Sequence, residues 1–278
     1  MKTAKAFAPA KINLTLHVSG QRADGFHLLD SLVVFGDIGD RITVAPADRS
    51  RLTLSGPMAK GVPTDASNLV LRAAKLMGLT ADIQLEKHLP AAAGLGGGSA
   101  DAAATIRALN EMSGRVPPKM SELLRLGADV PLCMTDNPAR MRGIGDLLEP
   151  VEMPQNLWMI LVNPGVCVPT GPVFKGLRQK DQPPMEDMPD TRNQSDWLHW
   201  LAEQRNDLQP PAIVLEPVIG LVLDVLKQRD GCILARMSGS GATCFAIMRD
   251  GPSRDKAVAD LSKAFPQWWV KPCTTGTP

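Results

Sequence analysis

Pro90, Ala91, Ala92, Ala93, Gly94, Leu95, Gly96, Gly97, Gly98, Ser99, Ala100 and Asp101 form one unbroken run that carries more chemical information than any other stretch of the chain. Glycines let a backbone take positive φ and approach a ligand closely. A helix that starts directly after them, expected over about Ser99–Met112 and closed by Gly114, aims its free N–H groups and positive dipole end at one point. Together these features make an anion site suited to phosphate groups. The plain alternative is a flexible loop before an ordinary capped helix. No GxxxxGK[ST] pattern is present, and a dinucleotide fingerprint opened by Gly94 and Gly96 lacks its third glycine because Ser99 stands there. Ser99 has two readings, helix cap or phosphate or metal contact. Asp101, placed in the first helical turn, complements the dipole.

Three further places carry reactive groups. Asp129 precedes Val130-Pro131, a pattern in which an Asp caps a short helix with Pro early in it. A carboxylate there can also take a proton from a hydroxyl within hydrogen-bond reach. Lys11 lies between apolar Ala10 and Ile12, and Asn13 points to the same strand face. An exposed strand lysine is the bland reading of Lys11, and a strand-end hydrogen bond that of Asn13. His27 follows the polar turn Gly20–Gly25, and Ser238-Gly239-Ser240-Gly241 reads as a tight hairpin turn. Asp146, after Gly143-Ile144-Gly145, completes a turn.

The elements that hold these residues alternate irregularly between strand and helix. Lys5–Val18 reads as two short strands with a turn at Pro9, and Leu28–Phe35 as a buried strand. Arg41–Ala45 and Arg51–Leu54 suggest a hairpin. A helix is expected over Asn68–Met77, capped by Ser67 with Leu69, Ala73 and Leu76 on its inner face, followed by a strand over Ile83–Lys87. Later come a short helix over Ser121–Leu126, a strand over Leu157–Val162, a surface loop over Lys180–Ser195 and a helix over Ile213–Leu226 that carries Pro217. Strands at Cys232–Met237 and Ala242–Met248 flank the tight turn. Mixed order without strict βαβ alternation indicates an α+β fold. The break near Pro150–Gln155 divides the chain into domains 1–153 and 154–278.

The 278 residues suffice for two ordinary domains. With 44% hydrophobic and 21% charged residues the chain reads as globular, neither disordered nor coiled coil. A net charge of +1 speaks against a nucleic-acid partner. No stretch approaches the roughly 20 apolar residues of a membrane span, and the first ten residues lack a secretory apolar core. The five cysteines are odd in number and scattered without a CxxC pair, which favours reduced thiols in the cytoplasm over disulfides or zinc.

Taken in order, Pro9-Ala-Lys11-Ile-Asn13-Leu14, the glycine run and Met237-Ser-Gly-Ser-Gly-Ala242 resemble the GHMP kinase superfamily, named for galactokinase, homoserine, mevalonate and phosphomevalonate kinases. Arg22-Ala-Asp24-Gly25-Phe26-His27, Gly127-Ala-Asp129-Val-Pro131, Asn163-Pro-Gly165 and Arg205-Asn-Asp207-Leu208 resemble its branch acting on 4-diphosphocytidyl-2-C-methyl-D-erythritol. The resemblance runs from Ala8 to about Met248. It implies a two-domain architecture, a ribosomal protein S5 domain 2-like N-terminal part and a ferredoxin-like C-terminal part, with the active site in the cleft between them.

The resemblance implies ATP as phosphoryl donor, bound by residues 90–99, and Mg²⁺ to neutralise its phosphates. Asp129 becomes the general base and Lys11 its electrostatic partner. His27 becomes the reader of cytosine, Phe26 and Phe174 stacking platforms (core packing being the ordinary fate of Phe), and Asn13 and Gly239 substrate contacts. The chain departs from the pattern in having Phe26 for Tyr, Ala100 for Ser, Ala242 for Pro, and Leu132-Cys133 for an aromatic pair. The expected partner is thus a small cytidine diphosphate compound, phosphorylated on its 2-hydroxyl, with no nucleic acid or membrane; oligomeric state is left open. Rival expectations are another small-molecule kinase of the superfamily, acting on mevalonate, homoserine or a sugar, and a non-catalytic binding protein on the same fold.

Overall fold

The computed structural model describes residues 2–154 and 156–276. The predicted break at Pro150–Gln155 ends on a residue outside that set, as do the outermost ends of the predicted domains. The strands are β1 Ala4–Asn13, β2 His17–Gln21, β3 His27–Pro46, β4 Arg51–Ser55, β5 Ala81–Glu86, β6 Ala139–Gly143, β7 Leu147–Pro150, β8 Trp158–Asn163, β9 Cys232–Met237, β10 Cys244–Met248 and β11 Trp269–Thr274. The helices are α1 Leu69–Leu76, α2 Gly97–Ser113, α3 Met120–Leu126, α4 Val130–Cys133, α5 Thr170–Lys175, α6 Gln194–Glu203, α7 Gln209–Leu215, α8 Val218–Lys227 and α9 Gly251–Ala264.

The chain forms two compact units. One takes the N-terminal strand up to Lys11, Ile38–Ala91 and Gly96–Asp136. In it the Arg41–Pro46 stretch of β3 pairs antiparallel with β5, which pairs parallel with β4. Helices α1 to α4 belong to this unit. α2 buries Ala100, Ala102, Ala103, Ala104, Ile106, Ala108 and Leu109; a helix apolar on most sides is a central element, and its alanines let neighbours approach closely.

The other unit takes Ile12–Asp37, Ala92–Leu95 and the described residues from Asn137 onward. The first part of β3 pairs with β2 and β6 there, and β7 continues from β6. A separate antiparallel sheet has the order β11-β8-β10-β9. Its core gathers Ile160, Val162, Cys244 and Ala246 with Ile219, Val222, Leu223 and Leu226 of α8. The spacing of those four α8 residues is that of one helical face, and each such side chain stabilises by about 1.5–3 kcal/mol on burial. The architecture is the expected α+β. Among the described residues no helix is long and apolar enough to cross a membrane, and the five cysteines are free.

Several local expectations need correction. Pro9 makes no turn: β1 runs straight through it and pairs with β3, since proline's φ suits an extended strand and its missing N–H is tolerated where no ladder bond is needed. Arg41–Pro46 and Arg51–Ser55 form no hairpin, because β5 lies between them and buries Ala81, Ile83 and Leu85 there. The cap of α1 is Asn68, whose Oδ1 accepts from Val70 N at 2.9 Å, while the Ser67 hydroxyl turns to Asp65. The buried face of α1 carries Val70, Ala73 and Ala74, with Leu69 and Leu76 only partly covered. The Ile213–Leu226 helix is two, α7 and α8, parted at Pro217, whose ring cannot continue a helix. The 180–195 loop has an anchor: Met185 is buried, its N–H donating to Asp30 and its carbonyl accepting from Arg140. α9 and β11 carry no expectation, although Asp250 caps α9 and Pro252 opens it.

Candidate active site

In the first unit, Lys11 on β1 and Asp129 before α4 meet at 3.1 Å. Asp129 occupies the N-cap position of α4 but its carboxylate makes no capping bond, so the capping role expected of its side chain is not observed. The ion pair takes the carboxylate instead. The Lys11 side chain is 6% exposed and the Asp129 side chain 31%, which rules out the exposed-lysine reading and leaves the carboxylate an open side.

The glycine run divides by physical demand. Gly94 has φ +73°, and a Cβ there would sit 2.4 Å from the Ser238 carbonyl. Ser238 Oγ donates to Gly94 O at 3.0 Å, and Thr243 N donates to Ala93 O at 3.1 Å, so this half of the run is packed onto the 238–241 turn. Gly96 has φ +64° and lies against the Lys11 stem, which a Cβ would meet at 3.1 Å. Gly97 and Gly98 differ: neither has positive φ, and the nearest atoms to an added Cβ are at 3.6 and 3.7 Å. The fold does not require glycine at either position.

α2 starts at Gly97, two residues earlier than expected, with Gly96 as its N-cap. Gly96 offers no side chain, so the free N–H groups of the first turn stay available, and Ser99 is not the cap. Asp101 falls beyond the first turn and complements no dipole. It is buried and takes a bond from Lys87 Nζ at 2.8 Å. Lys87 also binds Asp40, whose other oxygen accepts from His88 N at 2.5 Å and Leu89 N at 2.9 Å. The triad thus ties the segment before Pro90 to the helix after the run. Burial, aided by the Asp40 charge and opposed by Lys87, pushes Asp101 up to about 8. Burial pulls Lys87 down, but Asp101 and Asp40 outweigh it and hold it above the ordinary lysine range. No sequence motif marks Asp40 or Lys87; only their convergence across the fold reveals them.

In the second unit, His27 stacks on Phe174 with ring centroids 4.7 Å apart and planes at 25°. Its Nε2 is buried without a partner. Burial, then the Lys180 charge, lowers its pKa, so the ring is neutral at neutral pH and offers one donor and one acceptor. Phe26 is 59% exposed, which excludes core packing for it; Phe174 is half-buried and packs on the core of this unit. Asn13 is buried, its Nδ2 donates to Ser31 Oγ at 2.8 Å, its N–H donates to Ser238 Oγ at 3.0 Å, and its Oδ1 has no partner. Gly239, at φ +57°, lies beside that oxygen, 3.3 Å from where a Cβ would be. Asn206 fixes this turn by donating to Met237 O at 2.7 Å and Gly239 O at 2.9 Å. Asp146 Oδ1 accepts from Ile144 N, completing its turn as expected. Among the described residues no three His, Cys, Asp or Glu side chains cluster as a metal cage.

The family described as "GHMP kinases N terminal domain" matches residues 68–146, and "GHMP kinases C terminal" matches residues 185–267. The chain belongs to the GHMP kinase family. Among family members, the protein called 4-diphosphocytidyl-2-C-methyl-D-erythritol kinase in Cereibacter sphaeroides is 52% identical over 271 residues, covering 96% of this chain and 98% of that one. Its namesake in Dinoroseobacter shibae is 54% identical over 268 residues, covering 96% and 93%. A crystal structure of 4-(cytidine 5'-diphospho)-2C-methyl-D-erythritol kinase superposes with a TM-score of 0.80 at 31% identity, covering 98% of this chain and 100% of that one. Homoserine kinase from Cytophaga hutchinsonii, at 20% identity and a TM-score of 0.69, shares the GHMP kinase fold.

Proposed function

We propose that this GHMP kinase transfers the γ-phosphoryl group of ATP to the 2-hydroxyl of 4-diphosphocytidyl-2-C-methyl-D-erythritol, a step of the non-mevalonate route to isoprenoid precursors. The observation that carries the chemistry is the Asp129 carboxylate, which forgoes its helix to pair with a buried lysine and keeps an open side. The relatives' shared name, at about half identity over nearly the whole of both chains, supports the acceptor. A division of the chain near residue 153, within the interval between the two family matches, is part of the reading.

The phosphates of ATP lie along residues 90–99, against the free N–H groups that open α2. Gly97 and Gly98 support this placement, since glycines that the fold itself does not need leave room for a ligand. Asp129 accepts the hydroxyl proton as the oxygen attacks the γ-phosphorus and ADP leaves. Lys11 orients that carboxylate through their 3.1 Å contact and offsets charge as the phosphoryl group moves. Mg²⁺, when bound, would neutralise phosphate charge, and the Ser99 hydroxyl at the end of the loop is the side-chain oxygen there that could help hold it. The unpartnered His27 Nε2 pairs with the cytosine edge, Phe174 holds the His27 ring by stacking, and exposed Phe26 covers the base. Asn13 Oδ1 and the Gly239 turn take the remaining substrate contacts. The reduced cysteines suit the cytoplasm.

The test is ADP release from purified protein with ATP, Mg²⁺ and each of five acceptors: the cytidine diphosphate compound, free methylerythritol, its 4-phosphate, mevalonate and homoserine. The first should be strongly preferred. Preference for mevalonate or homoserine would refute the acceptor while keeping the kinase; no ADP with any acceptor would refute the kinase.

A further inference from the structure

Arg107 lies on α2 ten residues beyond its first residue, away from every position assigned above. Its guanidinium is three-quarters buried and engaged through both terminal nitrogens. Nη1 donates to the carbonyl of Cys133 at 2.6 Å, and Nη2 donates to the carbonyl of Phe7 at 2.7 Å and to Asp136 Oδ2 at 3.0 Å. The two carbonyls belong to the two elements that carry the Lys11–Asp129 pair. Cys133 ends α4, and its N–H closes back on Asp129 O at 3.1 Å, so this one-turn helix links the Arg107 acceptor directly to the carboxylate residue. Phe7 lies four residues before Lys11 on β1, on the same strand face.

We propose that Arg107 is a positioning residue for the Lys11–Asp129 pair: one planar guanidinium spans β1 and α4 and fixes the separation at which the ammonium and the carboxylate meet. This rests on the kinase reading for its catalytic consequence but not for its geometry. The pair itself is a single 3.1 Å contact between a long flexible lysine and a half-exposed aspartate, which is too little to set its own geometry. A guanidinium offers several donors in a rigid fork and can serve two carbonyls and a carboxylate at once. An ammonium on a flexible stem has no such fork. Asp136 supplies the balancing anion; it takes φ +51° to do so, and its other oxygen is buried without a partner. Those features are costly unless the guanidinium is worth holding in one place.

The experiment compares Arg107→Lys with Arg115→Lys. Arg115 makes the same kind of bonds, to the carbonyls of Met77 and Gly78, but bridges neither β1 nor α4, so it controls for a merely structural loss. Arg107→Lys should lower kcat by about tenfold or more, since small misplacements of reacting groups cost on the order of 10²-fold per ångström. ADP affinity and the KM for ATP should stay within about twofold, and Arg115→Lys should leave kcat unchanged. In an Asp129→Asn background, Arg107→Lys should cost nothing further. A second readout needs no activity: in ¹³C-lysine spectra the Lys11 Cε resonance should move in Arg107→Lys toward its position in Asp129→Asn. A kcat loss that persists undiminished in the Asp129→Asn background, equal losses in the two arginine variants, or an unmoved Lys11 resonance would overturn the proposal. If the wild type releases no ADP with any acceptor, the kinase reading fails and the resonance alone decides the positioning role.

Discussion

Lys11 meets one carboxylate that is 31% exposed, whereas Lys87 meets two whose side chains are 0% and 5% exposed. Both lysines are buried, and both stand beside the glycine run in the same unit. Their surroundings separate a lysine sealed between two buried carboxylates from one whose carboxylate partner keeps an open side. A sealed triad cannot reach a substrate hydroxyl, and removing one member strands charge in a dry interior. An ion pair with an open side contributes little to stability but leaves a carboxylate that a ligand can approach. The glycines divide in the same way, Gly94 being required by packing and Gly97 by nothing in the fold.

Lys87→Met should break the comparison most forcefully. It leaves the buried Asp40 carboxylate beside Asp101 without its ammonium partner, a loss of about 3–5 kcal/mol for a broken buried pair. Chemical denaturation should show it. Lys11→Ala should cost far less stability, about 1 kcal/mol or below for a partly exposed pair. Equal losses in the two variants would erase the distinction.

Gly94→Ala and Gly97→Ala form the next contrast. The first puts a Cβ 2.4 Å from backbone at φ +73°, and strain of about 1–3 kcal/mol from the dihedral alone should lower Tm. Gly97→Ala should leave Tm nearly unchanged and raise the KM for ATP. A Gly97→Ala protein with unaltered ATP affinity would put the phosphates elsewhere.

His27→Ala should lower kcat/KM for the cytidine compound by about 1–3 kcal/mol in transition-state terms, the worth of one buried polar partner, with the KM for ATP unchanged. A fall in ATP affinity instead would assign His27 to the wrong ligand.

The last contrast concerns pH. Asp101 ionises near pH 8 in the fold and near its ordinary value when unfolded. The folded state therefore holds the extra proton between those values. Its stabilising contribution is complete below the unfolded pKa and disappears as pH rises through about 8, with a slope of at most about 1.4 kcal/mol per pH unit. Wild-type Tm should fall more steeply than that of Asp101→Asn between pH 5 and 8; parallel curves would mean that Asp101 is ionised throughout.

Much of this is legible in the amino-acid order because it depends on local demands. The glycine run, the strand–turn–strand around Ser238–Gly241 and the Asp129-Val-Pro segment announce themselves through φ, capping and proline chemistry. The order resolves less where long-range pairing decides. Arg41–Ala45 and Arg51–Leu54 look like hairpin partners until β5, some thirty residues later, enters between them. Asp129 reads as a cap because the lysine that claims its side chain is 118 residues away. Asp40, Lys87 and Arg107 lie in no motif, and each has meaning only through hydrogen-bond partners that the fold brings to it.

The measurement that bears most directly on the central claim is the single-turnover rate of γ-phosphoryl transfer to the cytidine diphosphate acceptor in Asp129→Asn, taken beside its nucleotide and acceptor affinities. The amide keeps the shape of the side chain and removes its capacity to accept a proton. The rate should fall by about 10²–10⁴ with both affinities and Tm nearly unchanged. A variant that transfers phosphate at close to the wild-type rate would contradict Asp129 as the reacting carboxylate, and with it the reading of the Lys11–Asp129 pair as the chemical centre of this kinase.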